Sequence, residues 1–186
     1  MYKTKRSRVF LVSGVALFFI GITGAVVHAE ALRAGKVEVK PMNGSEVRGI
    51  LTVTPIANGG GILIEGNLTG LKPNSLHGFH IHENGKCASD SAPGGHFNPT
   101  REPHGNIDQV KSHVGDLGNI VADEHGAVEL SIRKKEATLF KGDKGIMGRS
   151  MIVHASADDL HSQPSGKSGP FIACGIIDWV LQPEKH

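Results

Sequence analysis

From Lys36 onward the chain is written in short apolar and polar alternations broken by glycine-rich turns, and no window keeps a helical apolar period. That pattern restricts the chain to an all-β fold. Lys36-Val37-Glu38-Val39-Lys40 alternates strictly, and Asn43-Gly44 is a hairpin turn signal before a strand predicted over 47–54. Asn58 and Gly59 to Gly61 turn the chain into a strand at 61–68, with further strands predicted at 76–83, 116–122, 127–132, 149–154 and 172–180. Eight short strands predict one sandwich or closed antiparallel barrel. The 25 glycines in 186 residues fit so many turns. Two stretches break the rhythm, 84–115 and 155–171, and loops of that length in a compact domain are functional or tied down.

The first twenty-nine residues follow a different rule. Lys3, Lys5, Arg6 and Arg8 precede an uncharged run from Val9 to Val27, and Val27-His28-Ala29 offers small residues where a signal peptidase reads. This order predicts a signal peptide over 1–29 and a domain over 30–186. An uncleaved membrane anchor is the competing reading, because nineteen residues approach the roughly 20 that span a bilayer. No cysteine lies near the junction, so a lipid-anchored form is excluded. The whole chain carries +2, but removal of the leader leaves sixteen basic against eighteen acidic residues, or −2. Such a protein is expected in the periplasm or medium, with no nucleic-acid partner and no stable membrane association after cleavage. Either a monomer or a homodimer fits the strand pattern. Cys87 and Cys174 in an oxidising compartment read as one disulfide. Closing so long a loop is worth about 4–5 kcal/mol on the chain-entropy model.

Eleven histidines carry the chemistry. His80-Ile81-His82 lies within a predicted strand, so the two imidazoles share one face while Phe79 and Ile81 take the other. A lone histidine is usually a satisfied or solvated imidazole, and an HxH pair alone does not decide between that and metal binding. The long loop adds His96, His104 and His113, the next strand begins with Asp116, and another ends at His154. Imidazole-rich sites suit copper and zinc. Two four-coordinate metals need eight ligand positions where these seven residues stand, so one bridging imidazole would complete the set. His82 is followed by Glu-Asn-Gly, which breaks the HExxH pattern of zinc proteases, and no GxSxG motif is present. His125 and His161 fit solvated turn and loop positions.

Gly78-Phe-His-Ile-His-Glu83, Gly95-His-Phe-Asn-Pro99, His113-Val-Gly-Asp-Leu-Gly-Asn119, Val153-His154 and Ala173-Cys-Gly175 together resemble the copper/zinc superoxide dismutases, in their secreted bacterial branch. The likeness runs through 36–181 in spacing as well as residue type. It implies a Greek-key sandwich with two long functional loops, and fast, electrostatically steered dismutation of superoxide to dioxygen and hydrogen peroxide. These attributes come with the family rather than from the residues. The resemblance assigns copper to His80, His82, His96 and His154, and zinc to His96, His104, His113 and Asp116, with His96 as the bridge that takes and returns a proton. It also implies the Cys87–Cys174 disulfide, a supporting role for His77 beside the copper strand, and Asp158 as the carboxylate linking the two ligand shells.

One position departs from the family. An arginine is expected three residues before the second disulfide cysteine, where it meets the incoming anion, and here that residue is Phe171. Lys167 and Arg101 are the nearby loop cations that would have to replace it. The departure sets two expectations side by side. One is a dismutase with weakened substrate guidance; the other is a non-enzymatic copper- and zinc-binding or buffering protein on the same scaffold.

Overall fold

The computed structural model describes residues 34–180 apart from Val110 and Lys141, so the expected signal peptide at 1–29 lies outside the described residues. Eight antiparallel strands form the fold: β1 Gly35–Pro41, β2 Arg48–Pro55, β3 Ile62–Thr69, β4 Leu76–His82, β5 Asp116–Val121, β6 Val128–Lys134, β7 Ser150–His154 and β8 Phe171–Trp179. All eight predicted strands are present, with bounds within two residues of the sequence pattern. In their order, β5-β4-β7-β8-β1-β2-β3-β6, the end strands β5 and β6 are each laddered on one side and lie against each other, so among the described residues the sheet forms a nearly closed barrel.

Alternation explains which face is inside. On β1 Val37 and Val39 point inward while Lys36, Glu38 and Lys40 are exposed, and β2 and β3 contribute Leu51, Val53, Ile62, Ile64 and Leu68 to the same core. Strand β4 breaks this two-sided pattern, because its residues from His77 to His82 are all buried. Phe79 and Ile81 enter the core, and the opposite face is covered by the long loops.

Those loops are longer than the topology requires. β4 pairs with β5 and β7 pairs with β8, both antiparallel, and neighbouring antiparallel strands can be joined by about two to five residues. The chain instead uses 83–115 and 155–170. The Cys87–Cys174 disulfide, with its Cα atoms 5.8 Å apart, ties the first loop to β8.

Candidate metal centre

Strand pleating places the first two imidazoles. His80 and His82 leave the same face of β4, and His154, at the end of β7, joins them because β7 lies directly against β4. The long loop then turns back along β4: Glu83 N–H donates to Gly95 O at 3.0 Å, and Phe97 N–H donates to Ile81 O at 2.8 Å. His96 is thereby bridged to His82. The loop closes through Gly115, which accepts from Ile81 N–H at 2.9 Å. A Cβ on Gly115 would stand 2.2 Å from Ile81 O, so only glycine permits this approach.

Two buried groups result. His80, His82, His96 and His154 bring their ligand atoms within 4.8 Å of one another, and His96, His104, His113 and Asp116 do the same. The structure thus gathers all seven sequence-selected residues, with His96 common to both groups.

In the first group every ring is held by its outer nitrogen. His80 Nε2–H donates to Asp158 Oδ2 at 2.8 Å, His82 Nδ1–H to Gly94 O at 2.9 Å, and His154 Nδ1–H to Gly169 O at 3.1 Å. His96 Nδ1–H donates to Asp116 Oδ1 at 2.9 Å. The other nitrogens, His80 Nδ1, His82 Nε2, His96 Nε2 and His154 Nε2, are buried without a hydrogen-bond partner. An unsatisfied buried polar atom costs about 1–3 kcal/mol, so four in one cluster mark a place built for a ligand that accepts lone pairs. Burial keeps these rings neutral. It lowers His82 to about 3 and His154 to about 4, aided in each by His96, and holds His80 well below its usual range against the pull of Asp158.

The second group is organised by a carboxylate. Asp116 Oδ1 accepts from the Nδ1 atoms of His96 at 2.9 Å and His104 at 3.0 Å, and His113 Nδ1 lies 3.2 Å away. Asp116 Oδ2 accepts from the backbone N–H groups of Gly105 at 3.0 Å and His113 at 2.9 Å. Burial would raise Asp116, but the rings of His104, His113 and His96 gathered around it hold it well below the ordinary carboxylate range. His104 also donates from Nε2 to Asp158 Oδ1 at 2.9 Å, so both its ring nitrogens face carboxylates. Burial opposes a charge there, yet Asp116 and Asp158 outweigh it and raise His104 to about 9.

Asp158 therefore joins the two groups, one oxygen on His80 and the other on His104. Its backbone is fixed to β5 by a reciprocal pair: Asp158 N–H donates to Asn119 Oδ1 at 2.7 Å, and Asn119 Nδ2 donates to Asp158 O at 2.9 Å. Gly166 passes so close that a Cβ would fall 1.7 Å from Asp158 Oδ1. His77 stands outside both groups. Its Nδ1 bonds the His154 carbonyl at 2.8 Å and its Nε2 the Ser75 hydroxyl at 2.7 Å, so it supports the backbone of His154.

Phe171 sits against the first group. Its ring meets His82 and His154 edge to face, with centroids 5.0 and 5.1 Å apart. Arg101 and Lys167 are exposed, each with positive φ. His125 and His161 are also surface residues, with side chains 79% and 80% exposed, away from both groups.

Sequence reasoning passed over two residues that brace the loops. Gln163 Oε1 accepts from His104 N–H at 2.8 Å and its Nε2 donates to His104 O at 2.9 Å, fastening the second loop to the first. Asn119 stood within a motif but had no assigned role. Neither amide carried a local signal, because each works only through a partner far away in sequence.

A β-barrel whose long loops bury two imidazole groups sharing one histidine defines a class, proteins able to hold a pair of metal ions. The model of the copper/zinc superoxide dismutase family matches residues 47–177. A relative named superoxide dismutase [Cu-Zn] 2 from Aquifex aeolicus (strain VF5) is 38% identical over 128 residues, covering 66% of this chain and 75% of that protein. Superoxide dismutase [Cu-Zn] from Paramecium bursaria Chlorella virus 1 is 39% identical over 141 residues, covering 70% and 73%. Among solved structures, the crystal structure of the clock protein EA4 superposes with a TM-score of 0.71 at 34% identity, over 82% of this chain and 96% of that one. The chain belongs to the copper/zinc superoxide dismutase family, an oxidoreductase family.

Proposed function

We propose that the protein dismutates superoxide to dioxygen and hydrogen peroxide outside the cytoplasm, with copper held by His80, His82, His96 and His154 and zinc by His96, His104, His113 and Asp116. The observation that carries this reading is the set of four unpartnered ring nitrogens in one buried group that shares His96 with a carboxylate-centred group. Nitrogen donors without thiolates suit copper and zinc. When bound, copper supplies the one-electron redox change and zinc holds its imidazole without changing oxidation state. The chain's own residues do the rest. His96 presents Nε2 to one group and Nδ1 to the other, so Nε2 is the atom at which this chain would hold and release a proton. Asp158, Gly94 O and Gly169 O keep the lone pairs of His80, His82 and His154 turned inward.

Phe171 limits the rate in this reading. An apolar ring stands where a cation would greet an anionic substrate, and a hydrogen bond to a charged partner is worth about 1.5–3 kcal/mol, roughly 10–100-fold in rate. The same ring favours a second reading, a copper- and zinc-binding protein without turnover, because it covers the edges of His82 and His154. A superoxide assay on copper- and zinc-loaded protein separates the two. Measurable wild-type activity that rises about 10–100-fold in Phe171→Arg supports the dismutase. An inactive wild type, with activity gained only in that variant, supports metal holding. Full activity in His80→Ala would sink the copper assignment.

The disulfide and the family accord with export, with a leader over 1–29, a mature domain from Glu30 to His186 and a place in the family's secreted bacterial branch. N-terminal sequencing of the processed protein should begin at Glu30; a retained Met1 would overturn cleavage.

A further inference from the structure

Strand β6 turns Val128, Leu130 and Ile132 toward the core, and the next position of that face is Lys134. Its side chain is fully buried where the alternation calls for an apolar residue. A buried ammonium is costly unless it is paired, and a break in local pattern of this kind points to a function. Lys134 Nζ donates to Ser112 Oγ at 3.2 Å and lies 3.7 Å from Glu136 Oε2. Ser112 is itself buried and immediately precedes His113. His113 in turn gives its backbone N–H to Asp116 Oδ2 and places Nδ1 3.2 Å from Asp116 Oδ1.

We infer that Lys134 is a positioning residue for the carboxylate-centred group: its ammonium pins Ser112 and so sets the backbone that presents His113 beside Asp116. Lys134 does not touch the metal. The inference rests on the reading of this group as the zinc site. Its partners in the strand pattern, Val128, Leu130 and Ile132, fill the core, whereas Lys134 reaches past the core into the loop that carries three of the four ligands.

Competition with a chromophoric chelator, run separately with Zn(II) and Cu(II) on the mature chain, tests it, together with the visible absorption of Co(II) in the zinc site. Lys134→Met should weaken zinc binding about 10–100-fold, the range for residues that orient ligands, and alter the Co(II) bands while leaving copper binding unchanged. Lys134→Arg should recover most of the loss, since it restores a buried donor. Ser112→Ala removes only the acceptor and keeps the core intact, so it decides the matter if Lys134→Met does not fold; about tenfold weaker zinc binding is expected. Wild-type zinc affinity and an unchanged Co(II) spectrum in Ser112→Ala would overturn the inference. A wild-type chain that takes up no zinc would instead overturn the metal assignment beneath it.

Discussion

The two buried groups share His96 and differ chiefly in one carboxylate. Around His80, His82 and His154 there is no acid within the cluster, so burial keeps the rings neutral and their lone pairs bare. Around Asp116 the same burial is outweighed, and His104 holds an extra proton between two carboxylates. Identical side chains thus arrive at opposite charge states because of what stands beside them. The neutral group is ready for a metal as it folds, whereas the carboxylate group must release a proton from His104 when a metal binds. Asp158 stands outside both groups and accepts from one ring of each, His80 and His104.

Removing the carboxylate should break this contrast most strongly. In Asp116→Ala, zinc affinity should fall by more than about 100-fold, since a ligand is lost together with its hold on three rings, while copper affinity changes severalfold at most. Titration with each ion separately checks this, and an equal loss of both would mean that the groups are not separable. Next in size is Asp158→Asn. An amide cannot accept from both His80 and His104 through two oxygens, so both affinities should drop, zinc about 10–100-fold and copper less. A drop in one metal only would show that Asp158 serves a single group.

The smallest effect is also the most diagnostic. In the metal-free protein the depressed histidines bind fewer protons folded than unfolded below pH about 6.5, so their contribution to stability is lost as pH falls toward about 4. His104 has the opposite sign. Its folded value is raised to about 9, so its contribution is complete below about 6.5 and is lost as pH rises through about 9. Denaturant midpoints across pH 4.5 to 9.5 should therefore fall on both sides of neutrality. His154→Phe should flatten the acid limb and His104→Gln the alkaline one; an unchanged limb in either variant would show that the assigned ring does not set it.

Much of this is legible in the order of the residues. The strands were readable because alternation is a local property, and each strand meets its neighbours through the face that alternation defines. The residues of the two groups were readable because His80 and His82 share a strand face, and because His96, His104, His113 and Asp116 carry the family's spacing. Other parts were silent. The carbonyls of Gly94 and Gly169 fix two imidazoles, yet every residue has a carbonyl. Gln163 grips His104 from 59 residues away, and Lys134, two residues beyond the strand predicted over 127–132, is buried with no local signal for it.

By itself the sequence determined residue type and period: eight strands, two long connections, the seven side chains that gather into the two buried groups, and a phenylalanine at position 171. Only the tertiary structure decided orientation and charge. It chose which nitrogen of each ring faces inward, made His104 a cation while His80, His82 and His154 stay neutral, set the Phe171 ring on two imidazoles, and buried Lys134. The reason is physical. Periodicity is written along the chain, whereas desolvation, hydrogen-bond direction and the field of a distant carboxylate exist only once the loops have closed.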